Sequence, residues 1–118
     1  MLTIYHNPAC SKSRATLELL RASGVPLQVI EYLKTPPSAA GLAAIVDKLG
    51  IRPADLVRRG EAVFREQYAG RELGDAQWLA AMVAHPILIE RPIVVGDASA
   101  VIGRPPENVR RLLPADAG

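Results

Sequence analysis

The sequence predicts an α/β fold: a βαβ unit, a helical insertion, then a ββα unit, sharing one mixed sheet. Three observations predict it. A short apolar run, a helical stretch and a second strand-like run follow one another before Lys34. The middle of the chain carries apolar residues at helical spacing. Two β-branched runs then flank a turn ahead of a proline-led final segment.

LTIY (residues 2–5) reads as the first strand, and HNPAC as the loop after it. A helix begins near Ser11, its apolar side formed by Leu17, Leu19 and Leu20 with Ala15 and Ala22, and Gly24 and Pro26 stop it. LQVIEYL (27–33) is β-branched and aromatic enough for a second strand. Strand, helix and strand so close together imply a right-handed crossover between parallel strands.

TPPS ends that strand. Ser38 is the expected N-cap of a helix whose Leu42, Ile45, Val46 and Leu49 form an i, i+3, i+4, i+7 stripe, closed by Gly50. RPADLVRRG predicts a short helix with Pro53 in its first turn, and 61–69 a further helical stretch. Asp75 is the expected N-cap of a helix through Trp78, Leu79, Met82 and Val83, stopped at His85-Pro86. ILIERPIVVGDASAVIG predicts two strands joined around GDAS, and PPENVRRLL a last short helix. One domain over 1–118 with a helical insertion at about 38–84 follows. The element order is that of a thioredoxin-like fold with a helical insertion.

Composition narrows the function. Hydrophobic residues make up 49% of the chain and aromatic ones only 4%, so the core is aliphatic and few rings are left for stacking bases. A net charge of +2 is too small for a nucleic-acid or membrane footprint. PILIERPIVV is interrupted by charge and proline, no signal-peptide pattern opens the chain, and a lone cysteine suits a reducing compartment. A cytoplasmic location, with neither nucleic acid nor membrane as partner, is expected.

That cysteine, Cys10, carries the chemistry. It falls where the first helix begins, facing free backbone N–H groups and the positive end of the helix dipole. Both favour thiolate over thiol. Ser13 is placed to donate a hydrogen bond to the sulfur, and Lys12 and Arg14 add positive charge. The same N–H groups make an anion cradle which, with the Arg14 guanidinium as an oxyanion-binding fork, suits a thiolate attacking a tetrahedral oxyanion. His6 either lowers the thiol pKa as a nearby cation or orients the loop. With His85 the only other imidazole and no zinc-type spacing, no metal site is expected. Ser13 stands where a C-x-x-C motif would place a second cysteine, so a redox cycle through Cys10 needs an outside thiol. Arg91, before Pro92 and between two apolar runs, and Arg104, in GRPP, are charges that must point somewhere specific.

These residues resemble a known family. His6, Cys10 and Arg14 in YHNPACSKSR, HPILIERPIVV at 85–95, GRP at 103–105, PPS at 36–38 and DLVRR together are similar to the glutaredoxin-coupled arsenate reductases. The resemblance implies a thioredoxin-like fold, Cys10 as nucleophile, His6 as its activator, and a cis bond before Pro92. It maps three oxyanion-binding arginines onto Arg58, Arg91 and Arg104, with Arg59 one residue from the first. The implied activity is reduction of arsenate to arsenite, with glutathione as co-substrate, glutaredoxin as partner and no tightly bound cofactor. Two other readings share the resemblance. One is a glutathione-dependent thiol reductase with another substrate, for which an oxyanion clamp serves no purpose. The other is a non-catalytic regulator that binds RNA polymerase, as Spx-type relatives do, although those typically carry the C-x-x-C switch.

Overall fold

The computed structural model describes residues 1–113; residues 114–118 of the expected domain lie outside the described residues. Contacts divide the chain into two compact units, one of Met1–Thr35 with the chain from Arg91 onward, the other of Pro36–Glu90.

The first unit holds the sheet. Its strands are β1 (Leu2–His6), β2 (Leu27–Glu31), β3 (Ile93–Val95) and β4 (Ala100–Ile102), in the order β2-β1-β3-β4. β1 runs parallel to β2, Leu2 facing Leu27 and His6 facing Glu31, and antiparallel to β3, Ile4 facing Val94. β3 and β4 pair as the expected hairpin, Ile93 facing Ile102. α1 (Ser11–Ser23) connects β1 to β2, and Gly24, left-handed at φ 76°, ends it by donating its N–H to the Arg21 carbonyl at 3.2 Å. Only glycine adopts that backbone without strain. The last segment, Pro106–Leu112, is a 3₁₀ helix packed against α1 and β4. Ile4, Leu17, Leu20, Val94, Val101 and Val109 form an aliphatic core cluster.

Two details differ from expectation here. α1 buries Ser13, Thr16, Leu17 and Leu20, while Ala15 and Ala22 lie exposed. The buried stripe still has helical spacing, but two of its members are polar, and their hydroxyls are satisfied locally. Thr16 Oγ1 donates to the Lys12 carbonyl at 2.8 Å, and Ser13 Oγ serves the loop described below. β2 stops at Glu31 rather than 33, because its carbonyl accepts the N–H groups of both Lys34 and Thr35 and turns the chain.

Gly103 is where strand, helix and the segment before β3 come closest. Its N–H donates to the Pro92 carbonyl at 2.9 Å. A Cβ placed there would stand 2.6 Å from Thr16 Oγ1 and 2.9 Å from Pro92 Cγ. Gly103→Ala is therefore expected to destabilise the protein by about 1–3 kcal/mol, as overpacking does. Urea unfolding would show it as a lower midpoint at constant slope; an unchanged midpoint would mean that Thr16 can swing aside.

The second unit is helical. α2 (Ala39–Leu49) is capped by Ser38, whose Oγ accepts the Gly41 N–H at 3.0 Å, and it buries Leu42, Ile45 and Val46. A 3₁₀ turn at Pro53–Leu56, α3 (Ala62–Gln67) and α4 (Asp75–Ala84) follow. The N-cap of α4 is Gly74, not Asp75: Gln77 Oε1 accepts the Gly74 N–H, and the Asp75 carboxylate is drawn outward to Arg52 at 3.2 Å. ILIE is not a strand either. Pro86–Leu88 is a 3₁₀ turn, and only Ile89 pairs, as a bridge to Val57. Arg58 N–H to the Leu88 carbonyl and Glu90 N–H to the Leu56 carbonyl, at 2.7 and 2.9 Å, complete that junction. Among the described residues no helix is long and apolar enough to cross a membrane.

Candidate active site

The loop between β1 and α1 is folded on one buried side chain, Asn7, which is 5% exposed. Asn7 Oδ1 accepts the Ala9 N–H and its carbonyl accepts the Cys10 N–H, both at 3.0 Å. Its own N–H donates to Ser13 Oγ, also at 3.0 Å. This local turn delivers Cys10 to the N-cap of α1, with extended backbone (φ −98°, ψ 123°) and its carbonyl accepting the Arg14 N–H. Asn7 was not among the sequence-predicted site residues. An asparagine just before proline, at a strand–helix junction, was the signal that could have found it.

Half-buried Cys10 feels opposing influences. Burial raises its pKa, but the Ser13 backbone N–H, hydrogen bonding from the Arg91 side chain, the Lys12 backbone N–H and the Arg91 charge together outweigh burial. The net shift is downward, toward thiolate. No cap hydrogen bond closes onto the sulfur, so the Lys12 and Ser13 N–H groups act as aimed dipoles. Arg104 Nη1 lies 3.9 Å from Sγ, at the far edge of hydrogen bonding, and 3.4 Å from the Arg91 carbonyl. Arg91 is therefore the guanidinium that most favours the anion. Asn108 Nδ2 holds the Arg104 carbonyl at 3.1 Å and the Ile102 carbonyl at 3.3 Å, fixing the turn that presents Arg104. The Arg91–Pro92 and Arg104–Pro105 bonds are both cis.

Ser13 acts on the sulfur through its backbone rather than its hydroxyl. The hydroxyl is occupied by the Asn7 N–H and by His6 Nδ1, 2.7 Å away. His6 therefore touches Ser13. Burial lowers its pKa, Glu31 raises it, and Arg21 and Arg14 lower it again; the net shift is downward, away from the cation. Of the two roles expected for His6, the geometry fits orientation of the loop.

The remaining arginines divide. Arg14, an expected oxyanion binder, turns back to donate Nη1 to the Pro8 carbonyl at 2.8 Å. Arg58 belongs to the helical unit, where Nε meets Glu61 at 3.1 Å and Nη1 meets Glu90 at 2.8 Å. Arg59 packs on rings instead, 5.3 Å from the Phe64 centroid and 5.6 Å from that of Trp78. Those two rings are stacked 6.0 Å apart. Arg58 is thus the polar member of the adjacent pair and Arg59 the packing one.

This arrangement predicts a pH signature. Alkylation of Cys10 by iodoacetamide should follow a titration curve whose midpoint lies below that of free cysteine. A midpoint at or above the free value would mean that burial prevails over the dipoles and Arg91.

The chain has clear relatives. The ArsC family model matches residues 5–112. The arsenate reductase of Rhizobium meliloti (strain 1021) is 43% identical over 96% of this chain and 81% of its own length. The uncharacterized protein YfgD of Escherichia coli (strain K12) is 46% identical over 93% of this chain and 94% of its own. Among solved structures, the arsenate reductase from Vibrio cholerae superposes with a TM-score of 0.91 at 46% identity, covering 95% of this chain and 97% of that one.

Proposed function

The chain belongs to the ArsC family, the family of the arsenate reductases, and from that premise we propose that it reduces arsenate to arsenite with glutathione and glutaredoxin as reductants. The observation that carries the proposal is the convergence on one sulfur of two backbone N–H dipoles and the Arg91 guanidinium, with Arg104 alongside. A thiolate held among anion donors is suited to an anionic electrophile. A disulfide substrate needs no such donors.

In the proposed cycle the Cys10 thiolate attacks the arsenic of arsenate, and one oxygen leaves as water after taking up protons. Arg91 and Arg104 hold the remaining negative oxygens. A glutathione thiolate then bonds to the Cys10 sulfur. The S–As electron pair stays on arsenic, which departs as arsenic(III), and a mixed disulfide is left on Cys10. A glutaredoxin thiolate attacks the glutathione sulfur and releases Cys10 as thiolate. Because Cys10 is the chain's single cysteine, both further thiols come from outside. Arg58 is proposed as a third oxyanion donor on the family resemblance alone. Thiol cycling of this kind suits a reducing, cytoplasmic compartment.

The test is NADPH oxidation dependent on arsenate, in a mixture of glutathione, glutaredoxin and glutathione reductase. Turnover that requires all components is expected. Its absence with active coupling enzymes would overturn the reading in favour of a thiol reductase for another substrate or a binding protein.

A further inference from the structure

A cavity of about 350 Å³ opens beside the Cys10 loop, lined by His6, Pro8, Arg14, Leu17, Glu18 and Arg21. Four of these are consecutive members of one face of α1. His6 is 6% exposed; its Nδ1 is taken by Ser13, and its Nε2 makes no hydrogen bond among the described residues. The Arg21 guanidinium and the Glu18 carboxylate likewise have no partner among the described residues, and Arg14 spends only one N–H on Pro8. The charges facing His6 are Glu31 from β2 and Arg14 and Arg21 from α1. Glu18 and Arg21 take no part in the proposed attack on arsenate.

We propose that this cavity binds a small zwitterionic peptide with a carboxylate at each end, the chemistry of glutathione. The name of the ligand rests on the proposed function; its chemistry rests on the lining. The volume is several times what one carboxylate or oxyanion needs and lies within the range of small-ligand pockets. Arg14 and Arg21 are two helical turns apart, about 10 Å along the axis. An extended tripeptide spans about the same, ~10–11 Å. Each arginine can take one terminal carboxylate through its planar fork. Glu18 lies one turn from either and offers the matching charge for an ammonium group, while it repels a bare dianion. His6 Nε2 supplies a further polar contact at the loop end, and Leu17 and Pro8 give apolar wall for the peptide's middle.

The experiment is calorimetric titration with S-methylglutathione, whose blocked thiol cannot react with Cys10. Wild type is expected to bind it. Arg21→Ala should weaken binding about tenfold, as loss of a charge-assisted fork does, Arg21→Lys should recover part, and Glu18→Gln should weaken it less. Inorganic phosphate should not displace it. No binding by wild type, equal binding by Arg21→Ala, or displacement by phosphate that depends on Arg21 would each overturn the proposal, the last by showing a simple oxyanion site. In the coupled assay Arg21→Ala should raise KM for glutathione about tenfold at unchanged kcat. Turnover with an unchanged KM sinks the site but not the activity. Arg21-dependent binding without turnover in wild type supports the site and sinks the activity.

Discussion

Cys10→Ser is expected to abolish arsenate-dependent turnover, a loss of about 10⁴-fold or more, as removal of a nucleophile that works as part of a unit typically produces. No other thiol in the chain can take over, because there is none. The dipoles of the Lys12 and Ser13 N–H groups and the Arg91 side chain bring a thiol toward ionisation. A hydroxyl starts so much higher that the same groups leave it protonated. The fold should survive. Cys10 is the N-cap of α1 and makes no side-chain cap hydrogen bond, whereas serine is among the best N-cap residues. Its hydroxyl can accept the N–H groups that now only point at sulfur. The melting temperature should therefore hold or rise by a few degrees while activity vanishes. Measurable turnover by the folded serine variant, in the coupled assay and beside a thermal melt, would remove Cys10 from the chemistry.

The fold was legible where local chemistry and tertiary contacts agree. Ser38, Gly24 and Gly50 mark helix ends on their own, and they stand at helix ends in the structure. The parallel β1–β2 pair follows from a helix placed between two apolar runs. What was not legible depends on partners distant in sequence. Asp75 is a sound cap by type, yet Arg52 draws its carboxylate away and a glutamine takes over from two residues on. ILIE has strand composition, but Val57 gives it a single bridge and no ladder. The site shows the same division. Cys10 at a helix start was readable, because capping is local. The sequence points to the Ser13 hydroxyl, which the fold commits to His6 and Asn7, leaving the backbone N–H to face the sulfur. Arg14 is one turn from Cys10 in sequence, yet the Pro8 carbonyl competes for it. Arg91 and Arg104 reach the sulfur only because β3 and β4 lie beyond β1 in the sheet, a placement that spacing alone does not encode.

Arg91→Ala is expected to lower kcat/KM for arsenate by about 10²–10³, the usual cost of losing one preorganised donor to a developing oxyanion. Two effects combine, and pH separates them. Arg91 opposes the burial that pushes the Cys10 thiol up, through both a hydrogen bond and its charge. Without it the thiol pKa rises, so the alkylation midpoint and the acid limb of the pH–rate profile should both move to higher pH. At a pH above the new midpoint, alkylation of the variant should approach the wild-type rate, since the thiolate is then fully formed. Arsenate turnover should not recover there, because the guanidinium that holds the oxyanion is still missing. Arg91→Lys restores charge but not the planar fork and should recover part of the thiolate shift and less of the turnover. The Arg91 carbonyl, which accepts Arg104 Nη1, is untouched by either change. Arg104 therefore keeps that anchor, and loss of its placement does not explain the defect. Recovery of both alkylation and turnover at high pH would confine Arg91 to ionising the thiol. A fall in stability matching the fall in activity would instead make it a structural residue of the segment leading into β3.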